Sequence, residues 1–380
     1  MKQRVVVAMS GGVDSSVAAA LLKEEGFEVI GVTLRLWSHT DLTPVTTRPR
    51  SCCTPESLED AALVAAELDI PHYTLNVVDE FESRVVAPFC RDYLRGRTPI
   101  PCVACNGEVK FGLLLERALG WGASTLATGH YARIYQEEAR GLWRIRRARD
   151  LEKDQSYFLF ALRSEQIRHL RFPLGGLRKG QVRQLAARLG LRIADKPDSQ
   201  ELCFLPDGDY RSLIRSRHPD ELFPGPIRDR TGRSLGTHHG LALYTVGQRR
   251  GLGIGGDGPY YVVELDGPAN TLVVGRDRDL MTEVLVARPR YLPDLVGWDP
   301  ARPVLACVRY RQPAIEARLL PLDGDLIGVR FLRPIRAIAP GQAVVFYDGA
   351  DPSLVLGGGI IEGSGIEAEE LLAARAGVEG

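Results

Sequence analysis

The sequence predicts an α/β protein in which an N-terminal doubly wound parallel sheet precedes a small β-rich central domain and a C-terminal β-barrel. Strands and helices alternate over roughly the first 130 residues, which is typical of a parallel sheet with ligands at the carboxyl ends of its strands. After about residue 205 the segments become short and are broken by glycine and proline. Beyond about residue 280, β-rich runs follow one another and suggest a small barrel.

The elements are assigned from hydrophobic periodicity and from turn residues. A β-branched run, a glycine turn and an Ala/Leu stretch at helical spacing give strand, loop and helix in that order up to Gly26. We predict further helices over Pro55–Leu68, Asp79–Tyr93 and Asn106–Gly120, the last capped by Asn106. The predicted strands are Val5–Met9, Val29–Leu36, His72–Val77, Ser124–Thr128, Leu241–Thr245, Tyr260–Leu265, Thr271–Val274, Val304–Tyr310, Ala314–Leu320, Leu326–Phe331 and Ala343–Tyr347.

These elements predict four regions. They are a catalytic domain over 1–207, a central β-rich linker domain over 208–279, a β-barrel over 280–362 and a tail over 363–380. The tail is rich in alanine and glutamate, and we expect it to fray.

Composition excludes several protein classes. With 380 residues, 44% apolar and 25% charged, the chain is neither disordered nor collagen-like, and seven cysteines are too few for a disulfide scaffold. No apolar run approaches the length of a membrane span, and the N-terminus lacks a signal peptide, so we expect a cytoplasmic protein without a membrane partner and take a monomer as default. Basic and acidic residues number 48 each, yet Arg140 to Lys196 is strongly basic, as a polyanion site requires, although an arginine-rich composition explains the same excess.

The glycine loop, residues 10–16, carries the first functional signal. It reads Ser-Gly-Gly-Val-Asp-Ser-Ser between a strand and a helix, where backbone N–H groups form an anion cradle. It is neither a Walker A loop nor a G-x-G-x-x-G motif. A tight turn accounts for the two glycines but not for the three serines and Asp14 together.

The cysteines divide into three groups. Cys90 and Cys307 are expected to be buried apolar residues, and Cys52 and Cys53 receive no role. The remaining three, Cys102, Cys105 and Cys203, lie in settings typical of reactive thiols. Cys105 precedes the predicted cap Asn106, where the positive end of a helix dipole favours the thiolate. By itself, the Cys-x-x-Cys pair is compatible with a zinc half-site, a redox pair or an iron–sulfur ligand set.

The glycine loop resembles the PP-loop signature of ATP pyrophosphatases, which have an adenine nucleotide α-hydrolase-like fold. Over nearly the whole chain the sequence resembles the bacterial tRNA-specific 2-thiouridylases, which replace the C2 oxygen of the wobble uridine with sulfur in tRNAs for Lys, Glu and Gln. The segments that carry this resemblance are Met9–Ser16, Thr98–Asn106, Ala127–Ala132, Lys153–Phe158, Asp198–Phe204, His239–Ile254 and Arg309–Tyr310.

The resemblance implies the following roles. Cys203 is the persulfide carrier, loaded by a sulfur-relay protein, and Cys105 is the second catalytic thiol, which can end in a disulfide with Cys203. ATP with Mg²⁺, the latter near Asp14, is bound by Ala8, Met9, Ser10, Gly11, Gly12, Val13, Asp14, Ser15, Leu34 and Gly129. Contacts with the anticodon arm of tRNA are implied for Ile100, Pro101, Cys102, His130, Lys153, Asp154, Gln155, Arg309, Tyr310 and Gln342.

The chain departs from the family pattern at two positions. Ile100 stands where an asparagine is common, in a loop credited with contacting the target base, and Cys102 stands where an aspartate is common. The second change creates a three-thiol set, Cys102, Cys105 and Cys203, and relatives with such a set are thought to hold a [4Fe–4S] cluster that binds sulfide. The sequence also leaves open a PP-loop synthetase that forms C–N bonds, whose mechanism does not need Cys105 and Cys203. A non-catalytic RNA-binding protein is the other alternative; it predicts tRNA binding unaffected by ATP and no formation of AMP, and the intact loop over Ser10–Ser16 argues against it.

Overall fold

A computed structural model describes residues 2–36, 55–197, 202–205, 208–255, 258–294, 298–299, 302–322, 325–365 and 368–372. Cys52 and Cys53 lie outside these ranges. The chain forms two compact units. The first unit comprises Met1–Val86, Cys102–Asp209 and Ser353–Val355, and the second comprises Ala87–Pro101, Tyr210–Pro352 and Leu356–Gly380.

Over the described part of the first 130 residues, strands and helices alternate as predicted, and an antiparallel hairpin of two strands follows. In chain order the elements are β1 (Arg4–Ala8), α1 (Val13–Glu24), β2 (Glu28–Arg35), α2 (Pro55–Glu67), β3 (His72–Asn76), α3 (Val78–Phe81), α4 (Ala87–Leu94), α5 (Pro101–Ala104), α6 (Leu115–Gly120), β4 (Thr125–Thr128), β5 (Ala132–Glu137), β6 (Leu142–Arg147), α7 (Ser164–Ile167), β7 (Leu170–Arg171) and α8 (Lys179–Arg188). π-helical turns at Glu82–Val86 and Cys105–Leu114 connect α3 to α4 and α5 to α6, and 3₁₀ turns lie at Glu138–Arg140 and Ser156–Phe158.

The sheet of the first unit is parallel and has the order β3-β2-β1-β4-β7. Its central strand is buried on both faces, since Val5, Val6 and Val7 are fully shielded from solvent, which is why the strand reads as a continuous β-branched run. Ala8 of β1 pairs with Thr128 of β4. The loops that follow these two strands therefore leave the sheet at the same level.

The second unit is β-rich. Its elements are α9 (Tyr210–Arg217), β8 (Gly225–Asp229), β9 (Ser234–His238), β10 (Tyr261–Asp266), β11 (Thr271–Gly275), β12 (Met281–Tyr291), β13 (Val304–Cys307), β14 (Ile315–Leu322), β15 (Leu326–Arg336), β16 (Ala343–Asp348) and β17 (Val355–Ser364), with 3₁₀ turns at Pro219–Glu221, Leu241–Leu243 and Asp277–Leu280. Four strands form a sheet in the order β10-β11-β8-β9, and six close a barrel in the order β12-β15-β14-β13-β16-β17. The predicted barrel is confirmed.

Three predicted elements differ from the structure. Leu241–Thr245 is not a strand: a 3₁₀ turn over Leu241–Leu243 follows Gly240, whose φ of 123° redirects the chain, and a short apolar run cannot distinguish the two by periodicity. The helix predicted to begin at Asn106 begins at Pro101, a residue favoured at the first helical position. The predicted tail is partly ordered, because Ala368 and Leu372 are buried against β12.

Among the described residues, no helix is long and apolar enough to cross a membrane.

Candidate active site

The serine side chains of the glycine loop form hydrogen bonds within the loop. The backbone N–H of Ser10 donates to Ser15 Oγ at 3.1 Å, and Ser15 Oγ donates to the carbonyl of Gly12 at 3.2 Å. Ser16 Oγ donates to the same carbonyl at 2.9 Å. Both Ser15 and Ser16 are buried. Their hydroxyls therefore hold the loop in shape, a role that the sequence alone did not distinguish from ligand binding.

Burial alternates along the segment expected to line the nucleotide. Four of its residues are half-buried, namely Ala8, Ser10, Gly12 and Asp14, and four are buried, namely Met9, Gly11, Val13 and Ser15. Leu34, expected to meet the adenine, is almost completely buried in β2. Gly12 is one of the more accessible residues of this segment, and it immediately precedes the first turn of α1. Backbone N–H groups at such a helix start attract anions.

Two glycines allow close backbone approach. Gly11 has a φ of 66°, and a Cβ there would lie 2.1 Å from the carbonyl oxygen of Ser57 in α2. A Cβ at Gly129 would lie 2.7 Å from the backbone nitrogen of Ser15. The structure shows one cause for glycine at position 129, because it lets the end of β4 pack against the glycine loop. Contact between Gly129 and the nucleotide stays a prediction.

Asp14 lies in a charge network. Its carboxylate accepts hydrogen bonds from Lys179 Nζ at 2.7 and 2.8 Å and from the hydroxyl of Tyr131 at 2.7 Å. The backbone N–H of Lys179, at the start of α8, donates to Asp150 at 2.8 Å. Lys179 and Tyr131 are both buried. A lysine at a helix N-terminus opposes the helix dipole, so its two acidic partners offset an unfavourable position.

Cys105 does not sit at a helix start. Because the helix begins at Pro101, Cys102 lies in its first turn and Cys105 follows at the beginning of the π-helical turn. Cys105 is buried, whereas Cys102 is partly exposed. Asn106 is not a cap: its Nδ2 donates to the carbonyl of Phe158 at 3.3 Å, while its Oδ1 is buried without a hydrogen-bond partner. The predicted dipole effect at Cys105 therefore loses its geometric basis.

Cys203 lies in a turn that is anchored by its neighbours. The backbone N–H of Leu205 donates to the carbonyl of Leu202 at 3.0 Å, and the ring of Phe204 packs edge-on against Phe81 with centroids 6.1 Å apart. Cys203 itself is partly exposed. Residues 198–201 of the same motif lie outside the described ranges.

The three-thiol set does not form a ligand cluster. Within the described ranges, no group of three or more His, Cys, Asp or Glu side chains is placed to hold a metal ion. Cys102, Cys105 and Cys203 are all described and are not brought together in this way. The described residues therefore show no preformed ligand set for a [4Fe–4S] cluster, and the choice between a persulfide and a cluster is left to experiment.

His130 occupies an aromatic environment. Its ring lies 5.6 Å from that of Phe111 and 5.9 Å from that of Phe172, and its Nδ1 is 2.7 Å from Thr128 Oγ1. Desolvation by burial lowers the pKa of His130 well below its usual value, and the charge of Lys110 lowers it further. His130 is therefore a neutral hydrogen-bonding group at neutral pH.

Two of the polar residues expected to contact tRNA are bonded within the first unit. Asp154 accepts from the backbone N–H of Ala148 at 2.9 Å and from Ser156 Oγ at 2.8 Å, and burial raises the pKa of this carboxyl. Gln155 Oε1 accepts from the backbone N–H of Tyr131 at 2.9 Å. These two residues fix the loop that presents half-buried Lys153.

The remaining expected tRNA contacts lie in or next to the second unit. Gln342 Nε2 donates to the carbonyls of Thr98 and Pro99 at 3.0 and 3.3 Å, just before half-buried Ile100 and buried Pro101. In the turn after β13, the guanidinium of exposed Arg309 donates to the carbonyl of Ala337 at 3.3 Å. Half-buried Tyr310 follows it, with the guanidinium of Arg311 5.3 Å from its ring centroid. RNA contact by these residues stays a prediction.

Three family models match the chain. They are the tRNA methyl transferase HUP domain over residues 3–207, the tRNA methyl transferase PRC-barrel domain over 212–276 and the aminomethyltransferase β-barrel domain over 282–361. The chain is 49% identical to the tRNA-specific 2-thiouridylase of Heliobacterium modesticaldum, over 95% of this chain and 93% of the relative. The chain belongs to the tRNA-specific 2-thiouridylase family.

Further members of this family match with similar coverage. The relative from Moorella thermoacetica is 49% identical over 94% of this chain and 99% of its own length. The relative from Magnetococcus marinus is 48% identical over 94% and 99%. The resemblance of the sequence to the 2-thiouridylases is thus confirmed as family membership.

The sequence did not predict Tyr131, Lys179 or Lys196 as members of the site. Lys196 belongs to it because its Nζ donates to the carbonyl of Gly11 in the glycine loop at 2.9 Å. A signal for the lysines was present: the chain has six lysines among its 48 basic residues, and Lys153, Lys179 and Lys196 all fall within the basic stretch. In a chain that favours arginine this strongly, a retained lysine indicates a requirement for a compact ammonium group.

Proposed function

We propose that this enzyme carries out ATP-dependent 2-thiolation of the wobble uridine of tRNA. The observation that carries the proposal is that a glycine loop suited to bind anions and two cysteines, Cys105 and Cys203, lie in the same compact unit of a 2-thiouridylase family member. C–N bond-forming synthetases would have no need for these thiols.

In the first step, the C2 carbonyl oxygen of the uridine attacks the α-phosphorus of ATP and pyrophosphate leaves. The glycine loop holds the phosphates through backbone N–H groups. Mg²⁺ typically takes one or two protein carboxylates together with phosphate oxygens, so Asp14 would hold it beside the phosphates, where it would screen their charge. The Asp14 carboxylate is paired with the Lys179 ammonium, which balances its charge.

In the second step, the terminal sulfur of a Cys203 persulfide attacks C2, and AMP leaves with the former carbonyl oxygen. The Cys105 thiolate then attacks the sulfur of Cys203, which breaks the S–S bond and leaves the transferred sulfur on C2. The product is 2-thiouridine, and the enzyme retains a Cys105–Cys203 disulfide. A cellular thiol reductant must reduce that disulfide, and a persulfide-donating relay protein must reload Cys203, before the next turnover.

The substrate is the anticodon arm of tRNAs for Lys, Glu and Gln. The target base lies in a single-stranded loop, so its extrusion costs little. Contacts with tRNA are proposed for the residues at which the family resemblance implies them, namely Ile100, Pro101, Cys102, His130, Lys153, Asp154, Gln155, Arg309, Tyr310 and Gln342. We place the enzyme in the cytoplasm, where its tRNA substrate and ATP are available.

The test is thiolation of unmodified tRNA by anaerobically purified protein, with iron measured on the same preparation. We expect Cys105→Ser and Cys203→Ser to abolish thiolation and Cys102→Ser to retain it, with negligible iron. Cys90→Ser, which changes a buried cysteine away from the proposed chemistry, is the matched control. Activity in Cys203→Ser, or four irons that all three site substitutions remove, would overturn the persulfide route.

A further inference from the structure

Lys196 joins the glycine loop to α2. Its Nζ donates to the carbonyl of Gly11 at 2.9 Å and to the carboxylate of Asp60 at 2.6 Å. Both side chains are more than two-thirds shielded from solvent. The ammonium therefore uses two of its three N–H donors in hydrogen bonds to residues that lie far from it in sequence.

The contact with Gly11 fixes the orientation of a peptide group. In a trans peptide the carbonyl of Gly11 and the N–H of Gly12 point in opposite directions within one plane. Two consecutive glycines offer little steric resistance to rotation of the peptide between them. An ammonium bound to the carbonyl oxygen removes that freedom and holds the Gly12 N–H on the side of the loop away from Lys196.

Lys196 is itself held firmly. The guanidinium of Arg183, in α8, donates to the carbonyls of Ala194 and Lys196 at 3.0 and 3.3 Å. The backbone N–H of Lys196 donates to the carbonyl of Ile193 at 2.9 Å. The ammonium thus projects from an anchored stretch of backbone, seven residues before Cys203.

We propose that Lys196 is a positioning residue for ATP, which holds the Gly11–Gly12 peptide so that the Gly12 N–H faces the phosphates, with Asp60 orienting the ammonium. The inference rests on the proposed function only in taking the glycine loop as the ATP site. Lys196 acts through Gly11 and does not touch the nucleotide.

The test compares Lys196→Met and Lys196→Arg with a matched control, Lys23→Met. Lys23, at the other end of α1, also donates to backbone carbonyls, those of Leu68 and Asp69, directly after α2. The readouts are the Kd of a non-hydrolysable ATP analogue by titration calorimetry, the KM for ATP and kcat in thiolation, and the Tm.

We expect Lys196→Met to raise both the Kd of the analogue and the KM for ATP by about tenfold, because a charge-assisted hydrogen bond that preorganises the loop is lost. Lys196→Arg, which keeps a donor, should recover part of the affinity, and Lys23→Met should leave it unchanged. An unchanged Kd in Lys196→Met, or equal losses in Lys196→Met and Lys23→Met, would overturn the proposal.

Ionic strength separates positioning from direct phosphate binding. An ammonium that contacts phosphate loses affinity as salt screens the pair, so the ratio of Kd between variant and wild type would shrink at high salt. We expect the ratio to stay constant, and a shrinking ratio contradicts a positioning role. If wild type binds the analogue with this dependence on Lys196 but does not thiolate tRNA, the inference stands while the proposed function fails.

Asp60 is tested by a double-mutant cycle. Asp60→Asn should raise the Kd of the analogue less than Lys196→Met does, and the double variant should match Lys196→Met alone, because Asp60 acts through the ammonium. Additive effects would show that Asp60 does not orient Lys196.

Discussion

The ion pair between Asp14 and Lys179 joins the glycine loop to the start of α8. The aspartate belongs to the glycine loop, whereas the lysine comes from the start of α8, 165 positions later. The Asp14 carboxylate is about one-third exposed and the Lys179 side chain is almost buried. Removal of the lysine leaves a carboxylate with reduced solvation and with Tyr131 as its neutral donor.

We expect Lys179→Met to lower the free energy of unfolding by about 1 to 2 kcal/mol, less than for a fully buried pair because Asp14 is partly solvated. Asp14→Asn combined with Lys179→Met should cost less than the sum of the two single changes. Urea unfolding of the four proteins checks this, and strict additivity would show that the two residues are not coupled.

His130 gives a pH-dependent prediction. The pKa of His130 in the folded protein lies well below 6.5. As the pH falls below 6.5, the imidazole therefore binds a proton in the unfolded chain but not in the folded chain. The contribution of His130 to stability is therefore present above pH 6.5 and declines as the pH falls. We expect His130→Gln to lose less stability than wild type between neutral pH and about pH 5.

The measurement is the free energy of unfolding at both pH values. Burial also lowers the pKa of His72 and His238, so part of the pH dependence will persist in the variant. His130→Gln with the full wild-type dependence would contradict the neutral, desolvated state of His130.

At the scale of elements, the contact between the end of β4 and the glycine loop depends on Gly129. An added Cβ would meet the backbone of Asp14 and Ser15, neither of which can yield as a flexible side chain does. We expect Gly129→Ala to weaken binding of an ATP analogue by about tenfold or more, because the helix start must shift. Gly176→Ala, where a Cβ meets nothing within 4 Å, is the control.

Calorimetric titration of the two alanine variants provides the measurement. Equal affinity in Gly129→Ala and Gly176→Ala would mean that the loop adapts to the added carbon. A loss confined to Gly129→Ala would explain on steric grounds why a glycine follows β4 in this sheet.

At the scale of the whole molecule, the C-terminal residues contribute to the barrel core. Leu372 is buried, and its Cδ2 occupies the place where a Cβ on Gly328 would lie, whereas neighbouring Leu371 is half exposed. We expect Leu372→Ala to lower the free energy of unfolding of the second unit by about 2 to 3 kcal/mol. Leu371→Ala should change it by no more than about 0.5 kcal/mol.

Chemical denaturation distinguishes the two leucine variants when it is followed by the fluorescence of Trp298 in a background in which the other three tryptophans are replaced by phenylalanine. Similar unfolding midpoints for both would contradict the packing of residues 368–372 against β12.

The sequence predicted the parallel sheet and the glycine loop because both depend on local signals: a β-branched run such as Val5–Val7, and glycines beside hydroxyls. It did not predict the partners of Asp14, since nothing local indicates that Lys179 reaches it. The start of the cysteine helix was misplaced because Asn106 offers a strong capping signal, while Pro101 is preceded by another proline two residues earlier. The packing of Leu372 was not predicted either, because its side chain fills the space over Gly328, and that space exists only once the barrel has closed.

The amide of Gln342 holds the main chain of Thr98 and Pro99, so the path of the backbone into position 100 is set by the barrel and not by the side chain at that position. Substitution of Ile100 can consequently change the chemistry of the side chain at this position while the placement of the loop is maintained. A change at Gln342 would instead displace whichever residue occupies position 100, so these two positions control separate properties of the same loop.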